Sequence, residues 1–184
     1  MHTPSVRRSE TETAVIKAKA CLLAAAVVVC CTVSGRAETP EEWVKLGARV
    51  HGAFGSFVPV GIRIGLDALQ RLGAEPRGVI VIYYSGPKAP CPCPADGIAI
   101  ATVASAGQGT LQVAPEKAPD DMMGVAVIRS KATGAGLKYT IAASWIPKLI
   151  EMNKALDPMG RYDAVMKAAD LFSVEPLSAP AAPK

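Results

Sequence analysis

Hydrophobic and polar positions recur with two different periods along this chain, and the changes of period mark its elements. In "GIRIGLDALQRLG", residues 61–73, Ile62, Leu66, Leu69 and Leu72 share one face while Arg63, Asp67, Gln70 and Arg71 point away, which predicts an amphipathic helix stopped by Gly73. An earlier helix is predicted in "TPEEWVKLGARVHG", with Thr39 as N-cap, Pro40 in the first helical position, Glu41 and Glu42 in the first turn, and an end near Gly52. A glycine-rich link joins the two. "GVIVIYY", residues 78–84, is an unbroken β-branched and aromatic run between turn signals, the pattern of a strand buried on both faces. "ADGIAIATVASAG" reads as a helix of small residues ending near Gly107. "GTLQVAP", "GVAVIRS" and "GLKYTIAA" read as three strands, the last two joined as a hairpin through "KATGAG".

The carboxy-terminal third is helical in pattern. Ser144 caps "WIPKLIEMNKAL", where Pro147 is tolerated in a first turn, and Asp157-Pro158 opens "MGRYDAVMKAADLF". Residues 176–184 have little to bury and are expected to form a disordered tail. Helices, a strand, a helix, strands and helices in that order predict one α+β domain over residues 38–175, with helices packed on a mostly antiparallel or mixed sheet.

The amino end departs from this pattern. Arg7, Arg8, Lys17 and Lys19 precede "ACLLAAAVVVCCTV", an apolar run shorter than the roughly 18 residues a membrane-spanning helix needs, and "SGRAETP" follows with small residues at Gly35 and Ala37. Residues 1–37 are therefore expected to be an export signal cleaved before Glu38, giving a periplasmic or secreted protein. An uncleaved amino-terminal anchor is the alternative. Composition adds little beyond one core: 50% of the 184 residues are hydrophobic and 5% aromatic. Charge changes more. Residues 1–37 hold five of the 20 basic and two of the 16 acidic residues, so the remainder carries 15 against 14, a net of +1. No basic stripe or aromatic platform is left for nucleic acid, and that class of partner is excluded.

Removing the segment also takes Cys21, Cys30 and Cys31, which leaves Cys91 and Cys93 in "KAPCPCPADG". If a helix begins at Cys93, Pro94 takes its first position and Asp96 its third, and the Cys93 sulfur lies at the positive end of the helix dipole, where a thiolate is stabilised. Asp96 then has two readings, an N3 capping carboxylate or a ligand or base beside the sulfur. The cysteines have three: metal ligands, an exchanging redox pair, or a structural disulfide whose very small ring gains little chain-entropy stabilisation. His51, the one histidine after residue 37, is a helix cap or surface residue on one reading and a ligand on the other; Gly52 and Gly55 beside it allow close backbone approach. Arg63 is a solvated or ion-paired helix residue, with anion binding as its alternative.

His51-Gly52, Gly61, Arg63 and "ALQRLG", followed by Cys93, Asp96 and a glycine-rich turn leading to Leu111, resemble the FmdE family, named for a component of formylmethanofuran dehydrogenase, over about residues 41–130. In that family an HGHxCPG-type motif, a CxxD segment and a TGCT segment line a metal site described with zinc. Here the second histidine of the first motif falls on Ala53, its cysteine on Gly55 and its proline on Ser56, while the cysteine of TGCT falls on Ala104. The resemblance implies an FmdE-like α+β fold. It also implies a metal site of His51, Cys93 and Asp96, which Cys91 would complete to four ligands, soft enough to favour zinc or copper(I). The expected partner is a metal ion or a small ligand, and the expected function an exported metal carrier, sensor or accessory protein. A thiol redox protein and a small-ligand or protein-binding module are the alternatives. Oligomeric state is not set by the sequence, and a homodimer stays open.

Overall fold

Thr39 opens the first helix as its sequence context predicts. In a computed structural model, which describes residues 38–180, its hydroxyl accepts from the Glu42 N–H at 3.3 Å while the Thr39 N–H donates to Glu42 Oε2 at 2.7 Å, a reciprocal capping box ahead of α1 (Pro40–His51). Gly52 ends α1 in the left-handed region at φ 89°, a conformation that glycine reaches without a Cβ clash. The expected signal segment, residues 1–37, lies outside the described residues.

Helix α2 (Phe57–Leu72) begins four residues before the amphipathic stretch. Phe57, Val58 and Val60 are apolar enough to be drawn into the core, and Pro59 in the first turn costs no helical hydrogen bond, so the link shortens to residues 52–56. The chain continues through β1 (Val79–Ser85), α3 (Cys93–Thr102), a 3₁₀ turn at Ala106–Gln108, β2 (Leu111–Val113), β3 (Met122–Ser130), β4 (Gly136–Ala142), α4 (Trp145–Ala155), α5 (Pro158–Lys167) and β5 (Ser173–Leu177).

The five strands form one mixed sheet in the order β2-β1-β3-β4-β5, with β2 parallel to β1 and the other pairs antiparallel. Val79, Val81 and Tyr83 of β1, Ala126 and Ile128 of β3, and Leu137, Tyr139 and Ile141 of β4 join Val60, Ile64 and Ala68 of α2 and Leu149 of α4 in one buried cluster. The α+β architecture is as predicted, and so is the β3–β4 hairpin. The strand at 79–85 is not buried on both faces: Ile80 is 42% exposed and Ile82 and Tyr84 are half-buried, because the helices of the core cover the side that carries Val79, Val81 and Tyr83.

Other expectations change at element ends. Helix α3 stops at Thr102, whose hydroxyl turns back to the Ile98 carbonyl, and Val103 takes a left-handed φ of 54°. Ser144 makes no side-chain cap, whereas Asp157 accepts from the Gly160 N–H at 2.7 Å. Strand β5 was not predicted, and it carries two residues of the expected tail, Pro176 and Leu177; proline is compatible with an edge strand, where a missing donor costs least.

Two polar residues assigned to the solvent side of α2 instead tie it to its neighbours. Arg63 donates from Nη1 to the carbonyls of Val165 and Ala168 at 2.9 and 2.6 Å and lies over the Phe172 ring, so it ties α2 to the carbonyl end of α5. Asp67 accepts from the Tyr139 hydroxyl and from Arg71 Nε, both at 2.7 Å. Burial raises the Tyr139 hydroxyl pKa above its usual value, and the Asp67 bond adds to the rise.

Candidate functional site

Everything at the site depends on how closely α2 and α3 cross. Gly61 of α2 and Gly97 of α3 face each other so tightly that a Cβ at Gly97 would run into the Val58 carbonyl and stand 2.8 Å from the Ile62 nitrogen, while one at Gly61 would run into the Pro94 carbonyl. Two backbones in direct contact leave no freedom in the height of α3, and its first turn is thereby pinned beside the end of α1.

That first turn begins with Cys93, which is preceded by Pro92 at the cap and followed by Pro94. Cys93 thus stands one position further into the helix than expected, and Asp96 moves out of the N3 position with it. Asp96 does not cap α3: its Oδ2 lies 2.7 Å from His51 Nδ1 at the end of α1. A carboxylate only accepts, so the hydrogen sits on Nδ1 and the neutral ring keeps its lone pair on Nε2. Both side chains stay within reach of solvent, at 26% and 42% exposure, so the bond orients the imidazole more than it stabilises the fold.

Cys91 and Cys93 are joined as a disulfide across Cα atoms 5.2 Å apart, a span such a bond bridges. Cys93 is buried at 8% exposure and packs in the main core, while Cys91 is half-buried at its margin. The disulfide lines a cavity of about 260 Å³ together with His51, Gly55, Phe57, Pro90 and Asn153. Ala53 also lines it. Ala53 and Gly55 are the positions where the resemblance places a second histidine and a cysteine, and their short side chains leave room there. Three of the four expected site residues, His51, Cys91 and Cys93, therefore face one space, and Asp96 reaches it through His51.

Asn153 was not foreseen. Its Oδ1 accepts from the Ser56 N–H at 2.7 Å, and the Ser56 hydroxyl donates to the Leu149 carbonyl of the same helix at 2.5 Å. Arg161 of α5 donates to the carbonyls of Phe54 and Asn153 at 2.9 and 2.7 Å. These bonds fasten residues 54–56 to α4 and α5 as the cavity's second wall. No local pattern marks Asn153, an ordinary polar residue of a helix a hundred positions downstream. A larger groove, about 530 Å³, runs along α4 past Pro147, Glu151 and Met152, away from the cysteines and the histidine.

The donor set does not fit a metal ion in this disulfide-bonded form. Both sulfurs are committed to each other, His51 Nδ1 to Asp96, and no group of three or more His, Cys, Asp or Glu side chains among the described residues is arranged to hold an ion. Zinc held by His51, Cys91, Cys93 and Asp96 together is thus not accommodated while the sulfurs are bonded.

No curated protein matches the chain. Among solved structures, an FmdE-like protein of the tungsten formylmethanofuran dehydrogenase type from Syntrophus aciditrophicus superposes with a TM-score of 0.50 over 77% of this chain and 73% of its own, at 19% identity, a likeness of fold. The family described as FmdE, molybdenum formylmethanofuran dehydrogenase operon, matches residues 50–169, which run from the end of α1 through α5 and include the whole disulfide-bearing cavity. The chain belongs to the FmdE family.

Proposed function

We propose that this FmdE-like domain is an exported thiol–disulfide exchange protein, whose Cys91–Cys93 disulfide is the reacting group. The observation that carries the reading is the convergence of a disulfide at a helix amino terminus and the free Nε2 side of an oriented histidine on one small cavity. An incoming thiol gives its proton to His51 Nε2, and its sulfur attacks Cys91, the more exposed of the pair. The Cys91–Cys93 bond breaks, and its electron pair leaves on Cys93 as a thiolate stabilised by the amino end of α3. A second thiol then attacks the substrate sulfur of the mixed disulfide, which releases an oxidised substrate and leaves Cys91 reduced. Exchange with a substrate disulfide, run in reverse, restores the bond. An oxidising compartment such as the periplasm keeps such a pair bonded, in agreement with the export signal expected in residues 1–37.

A second reading, a soft-metal module taking zinc, is favoured by the same convergence of two sulfurs and an imidazole, and it requires the disulfide to be reduced first. One set of measurements separates the two. Under exchange, a Cys93→Ser variant traps a mixed disulfide at Cys91 with a small thiol's disulfide, seen as added mass, and Cys91→Ser traps far less because Cys93 is covered. Under the metal reading, reduced protein takes up one zinc per chain and the double serine variant takes up none. Failure of the native disulfide to react with dithiothreitol under folded conditions would remove the exchange reading.

A further inference from the structure

The cavity has a second polar feature besides His51. A backbone N–H can only donate, so the atom of Asn153 that meets the Ser56 N–H at 2.7 Å is the side-chain oxygen, and the amide NH₂ is turned the other way. The amide as a whole flanks Gly55, with Oδ1 3.4 Å and Nδ2 3.6 Å from where a Cβ of that residue would stand, and both residues line the cavity. Nδ2 donates to no group among the described residues, and the orientation is locked from behind, since Arg161 holds the Asn153 carbonyl and the Ser56 hydroxyl holds that of Leu149. The cavity lining thus includes an amide whose oxygen is committed and whose NH₂ is left to donate, an imidazole bonded through Nδ1, and a disulfide. Phe57, Val58 and Pro90 make the rest apolar. A volume of about 260 Å³ is below the roughly 300–1,000 Å³ of pockets for cofactors and drug-sized ligands.

From this juxtaposition we infer that the site selects thiols that carry a carbonyl or carboxylate oxygen, compounds built like a cysteine residue, with the oxygen on Asn153 Nδ2 and the sulfur between His51 Nε2 and Cys91. The inference rests on the exchange reading for its chemistry, but the recognition half stands on Asn153 alone. The same groups are offered by a free cysteine derivative and by a cysteine within a peptide. Asn153 is half-buried, so water can reach its NH₂, and the donor favours a ligand that brings an oxygen by a moderate factor only.

Asn153→Asp is the informative variant: it is nearly the same shape, keeps the oxygen that accepts from Ser56, and replaces the donor with an acceptor. Reduction of the disulfide in the purified full chain is followed with N-acetylcysteine, with a blocked Gly-Cys-Gly peptide, and with cysteamine, which has no oxygen. Wild type is expected to react about tenfold faster with the oxygen-bearing thiols than with cysteamine after correction for thiol acidity, and Asn153→Asp to lose that preference, read as the ratio of the uncharged blocked peptide's rate to the cysteamine rate. In wild type, a larger preference for N-acetylcysteine than for the peptide assigns the free derivative, and the opposite order assigns the peptide. A purely structural role for Asn153 would slow all three alike and overturn the inference. Binding is read separately with N-acetyl-S-methylcysteine, which cannot exchange: it should move the Asn153 side-chain NH₂ resonances in wild type. That shift without any exchange would sink the redox reading and keep the recognition site; no shift and no selectivity would sink the site.

Discussion

The two walls of the cavity are held in place by different physics. The wall that carries His51, Asp96 and the disulfide is set by packing: α2 and α3 touch backbone to backbone at Gly61 and Gly97, with no atom to spare. The facing wall is set by hydrogen bonds that Ser56 and Arg161 donate, to Asn153 and Leu149 of α4 and to Phe54 of the segment between α1 and α2. The first fails when something is added, and the second when something is removed. His51 and the disulfide therefore sit on the stiff wall, and Asn153 sits on a wall whose geometry depends on its polar partners.

The largest effect should come from adding one methyl to the packed wall. Gly97→Ala forces two helix backbones apart and is expected to cost about 3 kcal/mol, at the upper end of what overpacking normally costs. Gly107→Ala is the control: a Cβ there meets nothing within 4 Å, so the change should be neutral or slightly stabilising. Urea unfolding of both variants decides it, and equal midpoints would mean that the crossing can relax. Arg161→Met on the other wall removes two bonds to carbonyls, one of them to Phe54 beside the cavity, and should cost about 2 kcal/mol. Its distinguishing sign is a loss of thiol selectivity while His51 and the disulfide stay in place.

The contrast between walls also explains what the sequence made legible. His51, Cys91, Cys93 and Asp96 carry chemistry in their residue types and lie beside glycines and prolines, so they stand out as candidates one residue at a time, and so do the helices whose apolar period or capping box is local. What escaped reading was set by distant partners. Asn153 gains its role only because Ser56 folds against α4, and Arg63 because α5 ends beside it. Strand β5 forms because β4 offers an edge to pair with, although Ser, Glu and Pro are poor strand formers. The shift of Cys93 from cap to first helical residue is a difference of one position, and it was enough to turn Asp96 away from capping and toward His51.

Within the stiff wall, His51→Gln tests the base directly. It keeps a polar side chain of similar reach and cannot hold the thiol proton, so exchange with small thiols should slow about tenfold to a hundredfold, at the low end for a lost base because thiols ionise in part by themselves. Stability should move by less than about 0.5 kcal/mol, because the His51–Asp96 pair is partly exposed. A rate that does not change would leave the imidazole as a passive lining residue.

The smallest effect is expected from Asp96→Asn, and it separates the two roles an acidic residue near a helix start can have. The amide oxygen still accepts from His51 Nδ1, so the ring stays oriented, and only the negative charge beside it is lost. Exchange should slow by about threefold, with almost no change in stability. Were Asp96 a capping carboxylate, the same substitution would cost little in rate and about 0.3 to 1 kcal/mol in unfolding free energy, from the lost charge at the helix amino end. Asp96→Ala sharpens the outcome, because it frees the imidazole to turn: its rate should fall toward that of His51→Gln, and the double variant His51→Gln, Asp96→Ala should be no slower than His51→Gln alone. Additive losses in the double variant would show that Asp96 acts on the sulfurs by a route of its own.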